Sequence, residues 1–68
     1  MTKPLFKLQY LRKRKKLTQQ QMAELLGISM AHYQKIEQGR RKLTLDIAMK
    51  IKGILEVEHI DELFDDAS

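Results

Sequence analysis

The feature that most limits how this chain folds is a start-and-stop grammar repeated along its length. Thr18, Ser29 and Thr44 each follow an apolar residue and are followed, four places on, by another: Leu17 with Met22, Ile28 with Tyr33, Leu43 with Ala48. A hydroxyl so placed accepts one of the backbone N–H groups that the first turn of a helix leaves unpaired. The apolar pair around it has the spacing of a hydrophobic staple, and Gln21, three residues after Thr18, completes a capping box. Gly27 and Gly39 fall where the helices begun at Thr18 and Ser29 must stop. Glycine takes the left-handed conformation that closes a helix without a Cβ penalty.

These marks predict an all-α chain, with helices over about 5–15, 19–26, 30–38, 45–55 and 60–64. Period-two alternation is missing, so no segment reads as a strand. Leu8 and Leu11 form the inner stripe of the first helix, with Phe6 and Tyr10 either extending it or lying on its flank. The fourth helix packs Ile47 or Ala48, Ile51 and Leu55 inward, although Gly53 weakens it by ~1 kcal/mol relative to alanine. Only Gly27-Ile28-Ser29 separates the second helix from the third. Two short helices joined by a three-residue turn containing glycine describe a helix-turn-helix, here residues 18–38.

A chain of 68 residues is expected to form one domain, 1–68. It buries only roughly 60% of the surface it exposes when unfolded. It has no cysteine, so disulfides and thiolate metal sites do not staple it. No apolar run reaches the ~20 residues of a membrane helix, and Met1–Pro4 leads into a mixed segment rather than a signal-peptide core. The expectation is a cytoplasmic protein with no membrane partner. Its net charge of +4 hides a sharper asymmetry. Residues 1–42 hold 11 Lys/Arg against Glu24 and Glu37, whereas residues 43–68 hold two lysines against seven acids, most of them in the acidic end 56–68. A basic half points to a polyanion, with the acidic end turned away from it.

Residues 17–39, LTQQQMAELLGISMAHYQKIEQG, resemble the phage-repressor and Cro-like helix-turn-helix family, the Xre type. The matches are a leucine, a threonine or serine cap, Gln19, the apolar-Ala pair Met22-Ala23, Leu26-Gly27, and Ile36-Glu37-x-Gly39. Leu8, Leu11 and Arg12 match the family's first helix, Leu45, Ile51, Leu55 and Val57 its fourth, and Asp61-Glu62-Leu63-Phe64 its last. The chain differs at Leu43-Thr44, where many relatives have Pro-Ser, at Lys52, and in a 57–60 segment one residue longer. The resemblance implies a compact five-helix lambda-repressor-like domain and a DNA-binding transcriptional regulator, a repressor, with no cofactor.

In such proteins the third helix lies in the major groove with its N-terminal residues at the base edges. The resemblance then implies that Met30, Ala31 and Lys35 hold the main base-facing positions. Lys35 can donate to guanine, Gln34 can pair with adenine, and Met30 or Ala31 can touch a thymine methyl. Phosphate contacts are expected from Gln19 at the start of the second helix, where the dipole attracts anions, and from Arg40, Arg41 and Lys42 after the third. His32 and Gln38, on the flanks of the third helix, are expected to contact phosphates as well. Arg12 and Glu37 match positions that pair with each other and tie the first helix to the third. Tight binding calls for a homodimer on a near-palindromic operator, with recognition helices about 34 Å apart. Ile60, Leu63 and Phe64 are its candidate interface, unless the fifth helix simply caps the core.

Enzymatic chemistry is not expected. The histidines are His32 and His59 and the serines Ser29 and Ser68, with no nucleophile–base–orienter set and no metal-ligand spacing. The competing reading is an antitoxin or adaptor on the same fold, whose main partner is another protein held by residues 56–68.

Overall fold

The structure, a computed structural model, describes residues 4–59 and Leu63. Among them are four helices and no strand: α1 (Phe6–Arg14), α2 (Gln19–Leu26), α3 (Met30–Glu37) and α4 (Leu45–Leu55). The first three lie within a residue of the expected bounds, and α4 matches them. The expected fifth helix, 60–64, falls outside the described residues except at Leu63.

Each predicted cap is made. The Thr18 hydroxyl accepts from the Gln21 N–H at 3.0 Å while the Gln21 side chain accepts from the Thr18 N–H at 2.9 Å. Ser29 accepts from the His32 N–H at 3.0 Å and Thr44 from the Ile47 N–H at 3.4 Å. Gly27 and Gly39 both stand at φ 75°, the left-handed region. Among the described residues, two non-glycines share that region, Lys16 after α1 and Glu56 after α4. The Lys15 ammonium lies 3.0 Å from the Glu56 carboxylate and ties these two ends together.

The core forms where the amphipathic faces meet. α2 packs against both α3 and α4, and α1 against α3. Leu8 of α1, Met22, Ala23 and Leu26 of α2, Tyr33 and Ile36 of α3, and Ala48, Ile51 and Leu55 of α4 are buried together. The staple residues Leu17, Ile28 and Leu43 pack half-buried against this cluster, fixing how the chain enters each helix. Leu11 and Ile47 are half-buried, whereas Phe6 and Tyr10 lie on the open flank of α1. Leu63 is fully enclosed in the core. That corrects its place among the candidate interface residues, because its apolar surface is already used inside the domain. Ile60 and Phe64 lie outside the described residues. No described helix is long and apolar enough to cross a membrane.

Candidate nucleic-acid interface

The turn between α2 and α3 is set by backbone bonds that end one helix and side-chain bonds that start the next. The Gly27 N–H donates to the Glu24 carbonyl at 3.1 Å and the Ile28 N–H to the Ala23 carbonyl at 3.0 Å. Ser29 then caps α3 two residues later. No side chain stands near the Cβ position of Gly27, so its positive φ rather than crowding demands glycine there.

With the turn fixed, the period of α3 divides its residues. Tyr33, Ile36 and Glu37 face inward and are buried. Met30, Ala31, Lys35 and the capping residue Gln38 face outward, with Met30 41% exposed. An exposed methionine and alanine at a helix start leave apolar surface for a partner to cover. His32 and Gln34 lie half-buried on the flanks. Downstream, the Arg40 and Arg41 N–H groups donate to the Lys35 carbonyl at 2.9 and 3.2 Å, so the basic loop is pinned to the end of α3. Arg40, Arg41 and Lys42 are all exposed, and none forms an ion pair among the described residues.

Behind this surface lies a buried polar cluster. Arg12 and Glu37 are 7% and 2% exposed. The Arg12 Nε donates to Glu37 Oε2 at 2.6 Å, and its Nη1 to the Leu17 carbonyl at 2.7 Å. The expected pair is therefore present, and it joins α1, the start of α2 and the end of α3. Its burial demands such pairing, because a lone charge in this site carries a desolvation cost of several kcal/mol. The Glu37 backbone takes part too. Its carbonyl accepts from the Leu5 N–H at 2.8 Å and the Gln9 side chain at 3.4 Å.

Several parts of this cluster leave no mark in the sequence. The Gln19 Nε2 donates to Glu37 Oε1 at 3.0 Å, and Gln34 Nε2 donates to Gln19 Oε1 at 3.2 Å. Gln19 and Gln34, expected on phosphate and base respectively, are thus first joined to each other. The Tyr33 hydroxyl is buried beside the same carboxylate with no hydrogen-bond partner in good geometry. Burial, and then the neighbouring Glu37 carboxylate, push its pKa well above the ordinary phenol range. Glutamines 15 residues apart carry no periodic signal, and a tyrosine on an apolar stripe reads only as core. At the other end, the Arg14 guanidinium lies 5.9 Å from the Tyr10 ring centre. With the Lys15–Glu56 pair, this turns part of the α1 basic run to local contacts. No cluster of His, Cys, Asp and Glu among the described residues could hold a metal ion.

The helix-turn-helix family model matches residues 8–63, from within α1 to beyond α4. The chain belongs to the helix-turn-helix family. Its type is Xre-like, that of DNA-binding transcription regulators. The structure is similar to the restriction-modification controller protein C.AhdI from Aeromonas hydrophila, with a TM-score of 0.75 and 33% sequence identity over 85% of this chain and 86% of that one. No curated protein matches the chain. In this helix-turn-helix protein, the buried Arg12–Glu37 pair braces α3 against α1.

Proposed function

We propose that the protein is a transcriptional repressor that binds double-stranded DNA as a homodimer and reads the major groove with α3. One observation carries the reading: α3 buries Tyr33 and Ile36 on one side and leaves Met30, Ala31 and Lys35 open on the other. A helix so anchored presents the same side chains in the same places to every duplex it meets. Lys35 supplies donors for guanine O6 and N7, and Met30 and Ala31 supply apolar contacts for thymine methyls. Arg40, Arg41 and Lys42 supply phosphate contacts that fix register without reading sequence. The N-terminus of α2 adds backbone N–H groups for a further phosphate. The likeness to a restriction-modification controller protein supports the regulatory role.

With Leu63 inside the core, the apolar surface of the homodimer is sought among the exposed residues. Leu45 and Met49, one turn apart on α4, are 70% and 50% exposed and offer one. Around them α4 carries Asp46 in its first half and Lys50 and Lys52 in its second. An antiparallel pair of α4 helices related by a two-fold axis sets each acid near the partner's lysines.

Selection of bound sequences from random duplex DNA, with the salt dependence measured on the winner, tests the reading. An inverted repeat is expected, with affinity falling steeply as salt rises. If one dimer neutralises roughly 6–10 phosphates, the loss between 50 and 200 mM salt is ~10³–10⁵-fold. Recovery of no preferred sequence, or binding indifferent to salt, refutes it.

A further inference from the structure

We propose that the outer face of α1 is a second interaction surface, which docks an acidic segment of another protein on Phe6 and Tyr10. The inference goes beyond DNA binding, because this face is turned away from α3.

The face follows from the period of α1. Leu8 and Arg12, four apart, are buried where α1 packs against α3, and Gln9 beside them reaches the Glu37 carbonyl. Phe6 and Tyr10, also four apart, fall on the opposite side of the helix and are 59% and 62% exposed. Arg14 continues the row one turn on, its guanidinium 5.9 Å from the Tyr10 ring centre. Among the other exposed apolar side chains, Met30 belongs to the outward row of α3, and Leu45 and Met49 to the α4 patch. Phe6 and Tyr10 are a further pair on one helix face, and both are aromatic. Aromatic and arginine side chains carry much of the binding energy at protein interfaces. Here a phenylalanine, a tyrosine and an arginine stand in one row.

Charge selects the partner. Every charged residue of α1 is basic, Lys7, Arg12, Lys13 and Arg14, and Lys15 and Lys16 follow. Arg12 is held by Glu37 and Lys15 by Glu56. Lys13, Arg14 and Lys16 are exposed and form no ion pair among the described residues. The helical period sets Lys13 along one side of the two rings and Lys7 and Arg14 along the other. Cations on both sides of a short apolar row suit a segment that carries an apolar side chain between carboxylates. The phosphates of a duplex would satisfy the cations and leave both rings uncovered. A lipid surface takes up the whole apolar face of a helix, whereas Leu8 and Leu11 of α1 already pack in the core.

Short random peptides displayed on phage and selected on the full chain test the proposal. Counter-selection on Phe6→Ala/Tyr10→Ala removes peptides held elsewhere. The survivors are expected to carry Asp and Glu around a Leu, Phe or Trp. Their affinity should fall ~30-fold or more on the alanine variant, the loss that truncating a hot-spot aromatic brings. Lys13→Gln/Arg14→Gln leaves both rings in place and should weaken the same peptides several-fold, more at low salt than at high. The alanine variant should keep the wild-type affinity for duplex DNA. The proposal is overturned if no peptide survives counter-selection, if the survivors are not acidic, or if Lys13→Gln/Arg14→Gln binds them as the wild type does. It is overturned equally if the alanine variant loses duplex DNA or phosphatidylserine–phosphatidylcholine vesicles that the wild type holds, since the face then serves nucleic acid or lipid.

Discussion

Arg12 and Glu37 stand 25 residues apart in the chain yet 2.6 Å apart in the fold, and both are nearly sealed from water. Around them meet the start of α1, the end of α1, the start of α2 and the end of α3. A buried pair of this kind need not add stability over an apolar pair of equal size, but it penalises any change that removes one member. It makes the placement of α3 depend on α1.

Replacing Glu37 by alanine leaves the Arg12 guanidinium buried without its anion and frees the Gln19 amide. The expected loss is about 3–5 kcal/mol of folding free energy, a large share of what a domain this small possesses. Melting temperature and DNA affinity should fall together. Thermal unfolding measured beside DNA titration checks this, and a variant that melts like the wild type contradicts it.

Tyr33 gives the opposite result at neutral pH. Its hydroxyl is buried and without a hydrogen-bond partner in good geometry, so Tyr33→Phe removes a desolvated polar atom and should be neutral to mildly stabilising. The two proteins diverge in alkali. The folded-state pKa of Tyr33 is raised above the ordinary 10.0, so the folded protein resists losing the proton while the unfolded chain releases it. The wild type should keep its stability up to about pH 10 and then lose up to ~1.4 kcal/mol per pH unit through this group. Denaturant unfolding of both proteins at pH 8 and pH 11 reads the difference. Parallel loss in the phenylalanine variant counts against the assignment.

Local rules made the helices legible. The capping hydroxyls and the two turn glycines were readable because each acts on atoms within four residues, which is why α2, α3 and α4 start where the sequence places them. The end of α1 was less clear, since Lys16 takes the left-handed conformation without the glycine that announces it. Within the site, the outward row of α3 followed from its period. The Gln19–Gln34 bond did not, because it depends on how closely α2 and α3 approach and on which group the Glu37 carboxylate faces. The resemblance supplied the Arg12–Glu37 pair. The fate of Leu63 turned on whether the four helices leave room for it in the core, a question of volume that periodicity does not answer.

Two glycines separate backbone conformation from space. Neither Gly27 nor Gly53 has a neighbour that a Cβ would meet. Gly27 stands at φ 75°, where an L side chain costs roughly 1–2 kcal/mol. Gly53 lies within helical α4, where alanine is better by about 1 kcal/mol. Gly27→Ala should therefore lower the melting temperature and Gly53→Ala raise it. Calorimetry on the two single variants decides, and equal shifts of one sign refute the distinction.

The α4 surface sets the oligomeric state in this reading. Met49→Asp places a charge at the centre of the Leu45–Met49 patch without touching the core, since Met49 is half exposed already. Sedimentation equilibrium should show the wild type as a dimer and the variant as a monomer that still folds. A variant that stays dimeric relocates the contact away from α4. A wild type that is monomeric both alone and on its operator removes the two-fold model.

Charge and sequence reading separate on the DNA side. Arg40, Arg41 and Lys42 are exposed and unpaired among the described residues, so changing all three to glutamate should leave the fold intact. Binding to every duplex should collapse, because three attractions to phosphate become three repulsions. Changing them singly to alanine should weaken all sequences alike and lower the salt slope by about 0.9 for each phosphate no longer neutralised. Lys35→Ala should behave differently. It removes a donor aimed at guanine, so it should cost ~1–3 kcal/mol on the selected duplex and little on duplexes already altered at that base pair. Titrations of matched and mismatched duplexes at two salt concentrations separate the two patterns. A triple glutamate variant that retains its main partner marks that partner as a protein rather than DNA, which is the outcome an adaptor on this fold requires.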